Sequence, residues 1–322
     1  ETKRKRRILQ EEKRRTRPKT LDGFMMMDAC GCELPDEARK VDVSGLGLVG
    51  VVEEDLEYFV NLEALDAGDN RLLFRNFGML PILEELRLPC NNLARIDPGT
   101  TGFRNLQRLD LSYNNLTPES LVSLEQLPKL CDLDLTCNGL ASLPDGMSRL
   151  QSLQRLTLER NQLDNGGDVL QVLSVIPDLL ELNLAYNYFT ALEIDSMDVD
   201  RPFPSLKGLD LAFNYVGRED DVMSVVMLPR LERLILYGNP LAGPTGEDPL
   251  GLCVEKLVEE ANRVCQSWAT RPVEVITEMP TKDARKKKLS NRRPYSDTGI
   301  TMVQEKTLPQ ASTFRVAGNE II

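Results

Sequence analysis

The chain has 322 residues, a net charge of −11 and no histidine. Without histidine it lacks the usual general base, proton shuttle and metal ligand, which excludes most catalytic triads and zinc motifs. We therefore expect a protein with no enzymatic activity, no cofactor and no small-molecule substrate. The hydrophobic fraction of 41% is adequate for a core, and the aromatic fraction of only 5% predicts that this core is aliphatic.

The charge is distributed unevenly along the chain. Residues 1–19 hold ten Lys and Arg against three Glu, a net charge of +7, and residues 282–322 hold nine basic against four acidic residues, a net charge of +5. Residues 20–281 hold 20 basic against 43 acidic residues, a net charge of −23. The sequence predicts an acidic body with two basic ends.

Cysteine usage and hydropathy indicate the compartment. The seven cysteines form an odd number with no paired framework around the repeats, which favours reduced thiols inside a cell. Cys30 and Cys32 stand one residue apart with no second pair nearby, so we interpret them as structural thiols rather than a metal site. No apolar run approaches 18 residues and no signal-peptide pattern is present, so we expect a soluble intracellular protein without a membrane span.

Two segments precede the repeats. Residues 1–19 form a basic arm, interpreted either as a solvated segment, as a nuclear-import signal, or as a contact with an acidic surface such as nucleic acid or a tubulin tail. Residues 20–37 form an N-terminal cap, in which Phe24 and Met25–Met27 are expected to cover the open end of the first repeat. The candidate basic tethers are Lys3, Arg4, Lys5, Arg6 and Arg7 in this arm, and Lys286, Lys287, Lys288, Arg292 and Arg293 near the other end.

Residues 38–247 contain an internal repeat. Leu106–Leu116, LQRLDLSYNNL, matches the leucine-rich repeat pattern L-x-x-L-x-L-x-x-N-x-L. Copies separated by 21 to 27 residues begin at Ala38, Leu62, Leu83, Leu106, Leu130, Leu153, Leu179, Leu206 and Leu231. The asparagine of the pattern recurs at Asn70, Asn91, Asn114, Asn138, Asn161, Asn187, Asn214 and Asn239, and Leu46 replaces it in the first copy.

This repeat predicts an α/β leucine-rich repeat solenoid of about nine units. The strand leucines point inward and the strands stack into a parallel sheet on the concave side. The asparagine amide can donate and accept at once, so it is expected to bridge neighbouring turns. On the convex side, helices are predicted within Leu116–Pro128, Leu163–Pro177 and Val216–Pro229, turns or 3₁₀ structure within Ala141–Ser152, and an irregular link at Phe189–Pro204.

Two segments follow the repeats. Residues 248–268 are predicted to form a C-terminal cap helix that begins at Asp248-Pro249 and closes the last repeat. Residues 269–322 form an extended basic tail without helical or strand periodicity, which is expected to be disordered in isolation.

The outward strand positions form the candidate partner-binding face. An acidic column beside aromatic side chains either grips a basic partner or merely keeps the concave surface soluble, and the sequence leaves both interpretations open. The positions between the two strand leucines include Asp66, Arg87, Asp110, Asp134 and Asp210. Two positions beyond the second strand leucine come Tyr113, Arg160, Tyr186 and Phe213, with Tyr237 one place earlier in its repeat.

Beyond the generic repeat, residues 20–266 resemble the X-ray radiation resistance-associated family of leucine-rich repeat proteins. The resemblance is carried by TLDGFMMMDACG before the repeats and LERLILYGNPLAGPTGEDP at their end, with LDLSYNNL, LCDLDLTCNGLASLP and FPSLKGLDLAFNYV between them. It implies a role in the cellular response to ionising radiation, a nuclear and cytoplasmic location, and no catalytic residues. It does not cover the basic ends.

Competing functions follow from these features. We favour a scaffold within a large assembly such as the ciliary axoneme, with tubulin or axonemal proteins as partners, because related repeat proteins are frequent in cilia. The alternative is a nuclear or cytoplasmic adaptor in the response to X-ray radiation. A GTPase activator using Arg87 or Arg160 is disfavoured, since such activators have repeats of about 28 residues. DNA binding is disfavoured because the acidic body would repel a duplex.

Overall fold

The computed structural model describes residues 19–96, 102–164, 169–192, 194, 201–242 and 274–276. The basic arm up to residue 18, the predicted cap helix at 248–268 and nearly all of the tail lie outside the described residues, as do residues 193 and 195–200 of the Phe189–Pro204 link.

Ten short strands form one parallel sheet, with one strand from each repeat and one from the tail. All of its strands pair in register, so that the central residues of neighbouring strands face one another. This arrangement confirms the predicted repeat solenoid. The strands are β2 (Lys40–Asp42), β4 (Ala64–Asp66), β5 (Glu85–Arg87), β6 (Arg108–Asp110), β7 (Asp132–Asp134), β8 (Arg155–Thr157), β9 (Glu181–Asn183), β10 (Gly208–Asp210), β11 (Arg233–Ile235) and β12 (Glu274–Ile276).

A small N-terminal unit contacts the first repeat strand. Strand β1 (Lys19–Leu21) pairs in parallel with β3 (Leu48–Val51) in a separate two-stranded sheet. Helix α1 (Gly23–Cys30) contacts β2. It begins at Asp22, whose carboxylate accepts the Met25 N–H at 2.9 Å, and ends at Gly31 in the left-handed conformation.

The expectation that Phe24 covers the first repeat is wrong. Met26 is fully buried and Met25 and Met27 pack partly against the core, but Phe24 is 76% exposed. Successive helical residues are about 100° apart, so Phe24 lies about 200° from Met26 around the helix axis. The helix face that meets the repeats is therefore centred on Met26, with Met25 and Met27 at its two margins.

Strand β12 comes from the segment predicted as an extended tail. It pairs with β11, and the Leu236 N–H donates to the Ile276 carbonyl at 2.7 Å. Val275 packs against the main core. Because an unpaired edge strand exposes amides and carbonyls that attract other strands, β12 protects the last repeat strand from such contacts.

The buried asparagines bridge successive turns, as predicted. The Asn138 Oδ1 accepts the Leu116 N–H of the preceding repeat at 3.2 Å. Its Nδ2 donates to the Leu111 carbonyl of that repeat and to the Leu135 and Thr136 carbonyls of its own. Equivalent bonds to the preceding repeat are made by Asn70, Asn91, Asn114, Asn161, Asn187, Asn214 and Asn239. All eight are buried.

The links opposite the sheet differ from the prediction in helix type. Leu163–Pro177 contains the predicted α-helix, here α4 (Val169–Ser174), and Ala141–Ser152 contains the predicted 3₁₀ segment, Asp145–Arg149. Leu116–Pro128 has one α-helical turn, α3 (Pro118–Leu121), followed by 3₁₀ structure. Val216–Pro229 is helical as predicted, but its helix, Glu219–Met227, is a 3₁₀-helix rather than an α-helix.

The spacing of buried residues explains these differences. Val222, Val225 and Leu228 are buried at intervals of three, which matches the three residues per turn of a 3₁₀-helix. In α4, by contrast, the buried residues include Val169, Val172 and Leu173, with the i, i+3, i+4 spacing of an α-helix. The described residues also form α2 (Glu53–Leu56) and the 3₁₀ turns Pro35–Glu37, Phe74–Phe77, Val122–Gln126 and Pro240–Ala242.

The core is dominated by leucine but is not purely aliphatic. Phe74 and Phe103 are buried and stack with ring centroids 4.4 Å apart. Phe59, Phe77, Phe189 and Phe203 are also buried. Part of the aromatic content of the chain therefore fills the interior.

The asparagine ladder yields a first prediction. Replacing Asn138 with Asp removes the amide donor and leaves three carbonyls facing an acceptor, and an unsatisfied buried polar group costs about 1–3 kcal/mol. We expect Asn138→Asp to lower the free energy of unfolding by about 3 kcal/mol, measured by urea denaturation. Asn115→Asp is the control, since the side-chain amide of exposed Asn115 donates to the Asn92 side chain rather than to buried carbonyls. Equal stability of the two variants would contradict the ladder's role.

Candidate partner-binding face

In-register pairing places the residues between the strand leucines in one column on the outward face of the sheet, called here the sheet face. Four of the predicted site residues, Asp66, Arg87, Asp110 and Asp134, follow one another on adjacent strands. Thr157 and Asn183 separate them from Asp210, the fifth. Ile235 and Ile276 continue the column, so it is acidic at one end and apolar at the other.

The aspartates of this column have a structural role that the sequence analysis missed. The Asp110 Oδ1 accepts the backbone N–H of Ser112 at 3.0 Å and the Ser112 hydroxyl at 2.6 Å. Such a bond to the amide two residues later closes the turn after the strand. The same bond, at 2.9 to 3.1 Å, is made by Asp42, Asp66, Asp134, Asn183 and Asp210. Each carboxylate therefore has one oxygen committed to its own turn.

Arg87 interrupts the acidic column, and the residue two positions later explains why no aspartate is needed there. Pro89 stands where the other repeats place an amide donor, and proline has no N–H to satisfy. The guanidinium of Arg87 instead lies between Asp66 and Asp110, with N–O distances of 3.4 and 3.6 Å. Part of the acidic charge is thus neutralised within the face itself.

The neighbouring outward column is neutralised in the same way. Arg108 pairs with Glu85, and Arg155 pairs with Asp132, both at 2.9 Å. Arg233 reaches Glu181 at 2.7 Å across the strand between them, because that strand carries Gly208, where a Cβ would collide with the Glu181 carboxylate. The Arg108–Glu85 pair borders a depression of about 170 Å³ whose lining also includes Arg87, Asp132 and Asp134.

The second group of predicted site residues occupies the turn after each strand. Tyr113, Arg160, Tyr186 and Phe213 all have left-handed backbone conformations, with φ of 54° to 56°. Each of their N–H groups donates to a carbonyl of the following repeat, for example Tyr186 to Ala212 at 2.8 Å. This backbone ladder holds the left-handed turn and aims successive side chains along the same line.

At the C-terminal end these side chains touch. The Arg160 guanidinium lies 4.3 Å from the centroid of the Tyr186 ring. Tyr186 stacks on Phe213 at 4.3 Å, and Phe213 meets Tyr237 edge to face at 5.5 Å. The rings and Ile276 pack over buried Ala185, Ala212 and Ile235, which form a small cluster separate from the main core.

A second aromatic pair escaped the sequence analysis. Tyr188 and Tyr215 stand two residues after Tyr186 and Phe213, and their rings are nearly parallel with centroids 5.8 Å apart. They are 49% and 53% exposed. The signal that identifies them is their shared place immediately after the buried asparagine of their repeats, at Asn187 and Asn214.

Burial shifts the pKa of several groups on this face. It raises the pKa of the Asp66 carboxyl, against the lowering effects of the Gly68 N–H and Arg87. Burial also raises the pKa of the Cys90 and Cys137 thiols and of the Tyr113 phenol. Both thiols are therefore held in the protonated form, which is a poor nucleophile.

The cysteines in the described part of the chain, Cys30, Cys32, Cys90, Cys131 and Cys137, are free. The Cys30 thiol donates to the Met26 carbonyl at 3.2 Å, and hydrogen bonding with Cys30 raises the pKa of Cys32 to about 11. Within the described ranges no group of three or more His, Cys, Asp or Glu residues is placed to hold a metal ion. The described helices include none long and apolar enough to cross a membrane.

The turn bonds predict that stability depends more on the side-chain oxygen of each aspartate, which accepts the turn N–H, than on its negative charge. Asp110→Asn keeps an oxygen for the Ser112 N–H, as Asn183 does for Ala185, whereas Asp110→Ala removes it. We expect Ala to lower the free energy of unfolding by about 1 kcal/mol and Asn by less than half of that, because the ion pair with Arg87 is partly solvated. Urea denaturation measures both, and a larger loss in the Asn variant would show that charge dominates.

Comparisons with known proteins agree with this architecture. A model of the leucine rich repeat matches residues 81–134. X-ray radiation resistance-associated protein 1 of Mus musculus is 29% identical over 104 residues, 32% of this chain and 13% of that protein. Tubulin-specific chaperone cofactor E-like protein of Homo sapiens is 26% identical over 223 residues, 66% of this chain and 53% of that protein. The chain thus matches only part of the length of either relative.

Solved structures of similar fold include an internalin C2 from Listeria monocytogenes, with 21% identity, a TM-score of 0.49, and coverage of 62% of this chain and 84% of that one. A chain of the Drosophila Toll–Spätzle complex has 20% identity, a TM-score of 0.49, and coverage of 60% and 27%. The repeat match and the in-register parallel sheet agree that this chain is a leucine-rich repeat solenoid.

Proposed function

We propose that this protein is a non-enzymatic scaffold that binds other proteins through the sheet face. The observation that carries this proposal is the alignment of outward side chains into continuous columns over ten strands. Such a surface offers charge at one end and stacked aromatic rings at the other, and aromatic residues are the usual anchors of protein interfaces. The partly neutralised aspartates contribute steering more than affinity.

We further propose that the scaffold belongs to a microtubule-based assembly such as the ciliary axoneme. The similarity to a protein named as a tubulin-specific chaperone cofactor E-like protein supports a tubulin partner. The basic ends, which include Lys3–Arg7 and Lys286–Lys288, supply the charge needed to contact acidic tubulin tails. Each basic residue near an anionic surface is worth about 1 kcal/mol, by analogy with anionic membranes.

Tethering through the basic ends predicts salt-sensitive binding to microtubules. In co-sedimentation with the full chain, we expect affinity to fall at least tenfold between about 50 and 200 mM salt, since electrostatic contacts release counterions. Replacing Lys286, Lys287 and Lys288 with Ala is expected to weaken binding and to reduce the salt dependence. The control replaces Arg104, Lys129 and Arg149, which removes three positive charges from the body. Salt-insensitive binding, or equal loss in both triple variants, would contradict tethering by the tail.

The similarity to X-ray radiation resistance-associated protein 1 favours a second candidate, an adaptor in the response to radiation in the nucleus and cytoplasm. In that case the basic cluster Lys3–Arg7 serves nuclear import.

Imaging of the tagged protein in ciliated cells separates the two candidates. The axonemal proposal predicts signal along the cilium, and this signal weakens but is not lost when Lys3–Arg7 are replaced by Ala, because the basic residues near the other end still contact tubulin. If the unmodified protein instead gives nuclear signal without ciliary signal, and the variant loses that nuclear signal, the adaptor would replace the axonemal proposal.

A further inference from the structure

Aromatic side chains are concentrated at one edge of the sheet, at the turns of the last three repeats. This aromatic edge consists of Tyr186, Tyr188, Phe213, Tyr215 and Tyr237. The chain has only seven Tyr, nine Phe and one Trp in all. Packing of the core accounts for the buried Phe residues, whereas Tyr188 and Tyr215 remain about half exposed. Packing of the interior therefore does not account for them.

The buried asparagines fix the geometry of this edge. Asn187 lies between Tyr186 and Tyr188, and Asn214 lies between Phe213 and Tyr215. Each asparagine amide donates to a backbone carbonyl of the preceding repeat and to one of its own repeat, which holds the flanking residues in place. The Tyr188 and Tyr215 rings are thus presented in a nearly parallel arrangement, 7° apart, before any partner arrives. Such preorganisation reduces the entropy lost on binding.

The edge already holds one cation of its own. Arg160 covers the Tyr186 ring at 4.3 Å, which shows that a guanidinium fits against rings presented by these turns. No arginine or lysine among the described residues lies over Tyr188 or Tyr215. These two rings offer the same kind of surface to a cation from outside.

The charge of the body determines which occupant suits this surface. Residues 20–281 carry a net charge of −23, so the field around the edge attracts positively charged segments and repels acidic ones. Of the two basic side chains, arginine stacks flat on aromatic rings through its planar guanidinium, whereas the lysine ammonium is compact and strongly hydrated.

We propose that Tyr188 and Tyr215 bind an arginine-bearing segment of a partner protein by stacking against its guanidinium groups. The inference rests on the proposed function in treating the chain as a protein-binding scaffold, and it adds the chemistry of the partner and the place where it binds. The aspartate column steers the same segment toward the edge, with Asp210 on the strand that leads to Tyr215.

The test uses two fluorescent peptides, of eight arginines and of eight lysines, and measures anisotropy with the full chain at about 150 mM salt. Both peptides carry the same charge, so electrostatic attraction alone gives equal affinities. Stacking on two rings predicts that the arginine peptide binds about fivefold or more tightly than the lysine peptide. Equal affinity of the two peptides would overturn the proposal.

Variants locate the site. The double variant Tyr188→Leu, Tyr215→Leu keeps apolar side chains but removes the rings, and is expected to abolish the preference for arginine while leaving lysine binding nearly unchanged. The variant Tyr188→Phe, Tyr215→Phe retains the rings and is expected to keep the preference even if the leucine variant folds poorly. Tyr58→Leu is the control, because Tyr58 is 67% exposed elsewhere on the chain. Loss of the preference in the Tyr58 or phenylalanine variants, or its persistence in a folded leucine variant, would overturn the proposal.

Microtubule co-sedimentation of the same variants separates this inference from the proposed function. Retained sedimentation without any preference for arginine would leave the scaffold in place and remove the stacking site. A preference for arginine without sedimentation would support the stacking site and remove the microtubule partner.

Discussion

The hydrogen bonds of the buried asparagines are the constraint on which the rest of the structure depends. Each amide ties the backbone of its own turn to that of the preceding repeat, as Asn114 does with the carbonyls of Leu88 and Leu111. Because these bonds are short and directional, they fix the spacing and register of adjacent strands. Register in turn decides which side chains share a column. The buried asparagine amides therefore determine, through the register of the strands, which side chains are presented together on the surface.

The same logic limits what the acidic column can do. An aspartate such as Asp110 spends one oxygen on its turn and shares the other with Arg87, so its presence is explained by folding before any partner is considered. Within the part of the chain that the structure describes, the exposed side chains of Tyr188 and Tyr215 stack on each other and make no comparable hydrogen bond to a turn. The repeats thus separate residues that build the surface from exposed aromatic residues to which we attribute affinity for a partner, and the second kind is concentrated at the C-terminal end.

Much of this architecture could be predicted from the sequence. The leucine and asparagine columns each rely on a local rule repeated many times, so the sheet and the ladder followed from spacing alone. Helix type did not, because Val222, Val225 and Leu228 support either helix until their burial is known. The exposure of Phe24 and the pairing of Glu274–Ile276 depend on which neighbours the chain meets, and a single segment does not encode that. Tyr188 and Tyr215 were missed because the repeat pattern assigns no role to their position.

The left-handed turn residues give an independent reason to look for function at this edge. A non-glycine residue in that conformation costs about 1 kcal/mol, and the first and last repeats avoid the cost with Gly45 and Gly238. The inner repeats carry side chains there instead, including Arg160 and Tyr186. Their mutual stacking recovers part of the cost within the chain. Glycine would satisfy the turn in every repeat, so the side chains at this position are accounted for by the contacts they make along the surface, such as the stacking of Tyr186 on Phe213, rather than by the turn itself.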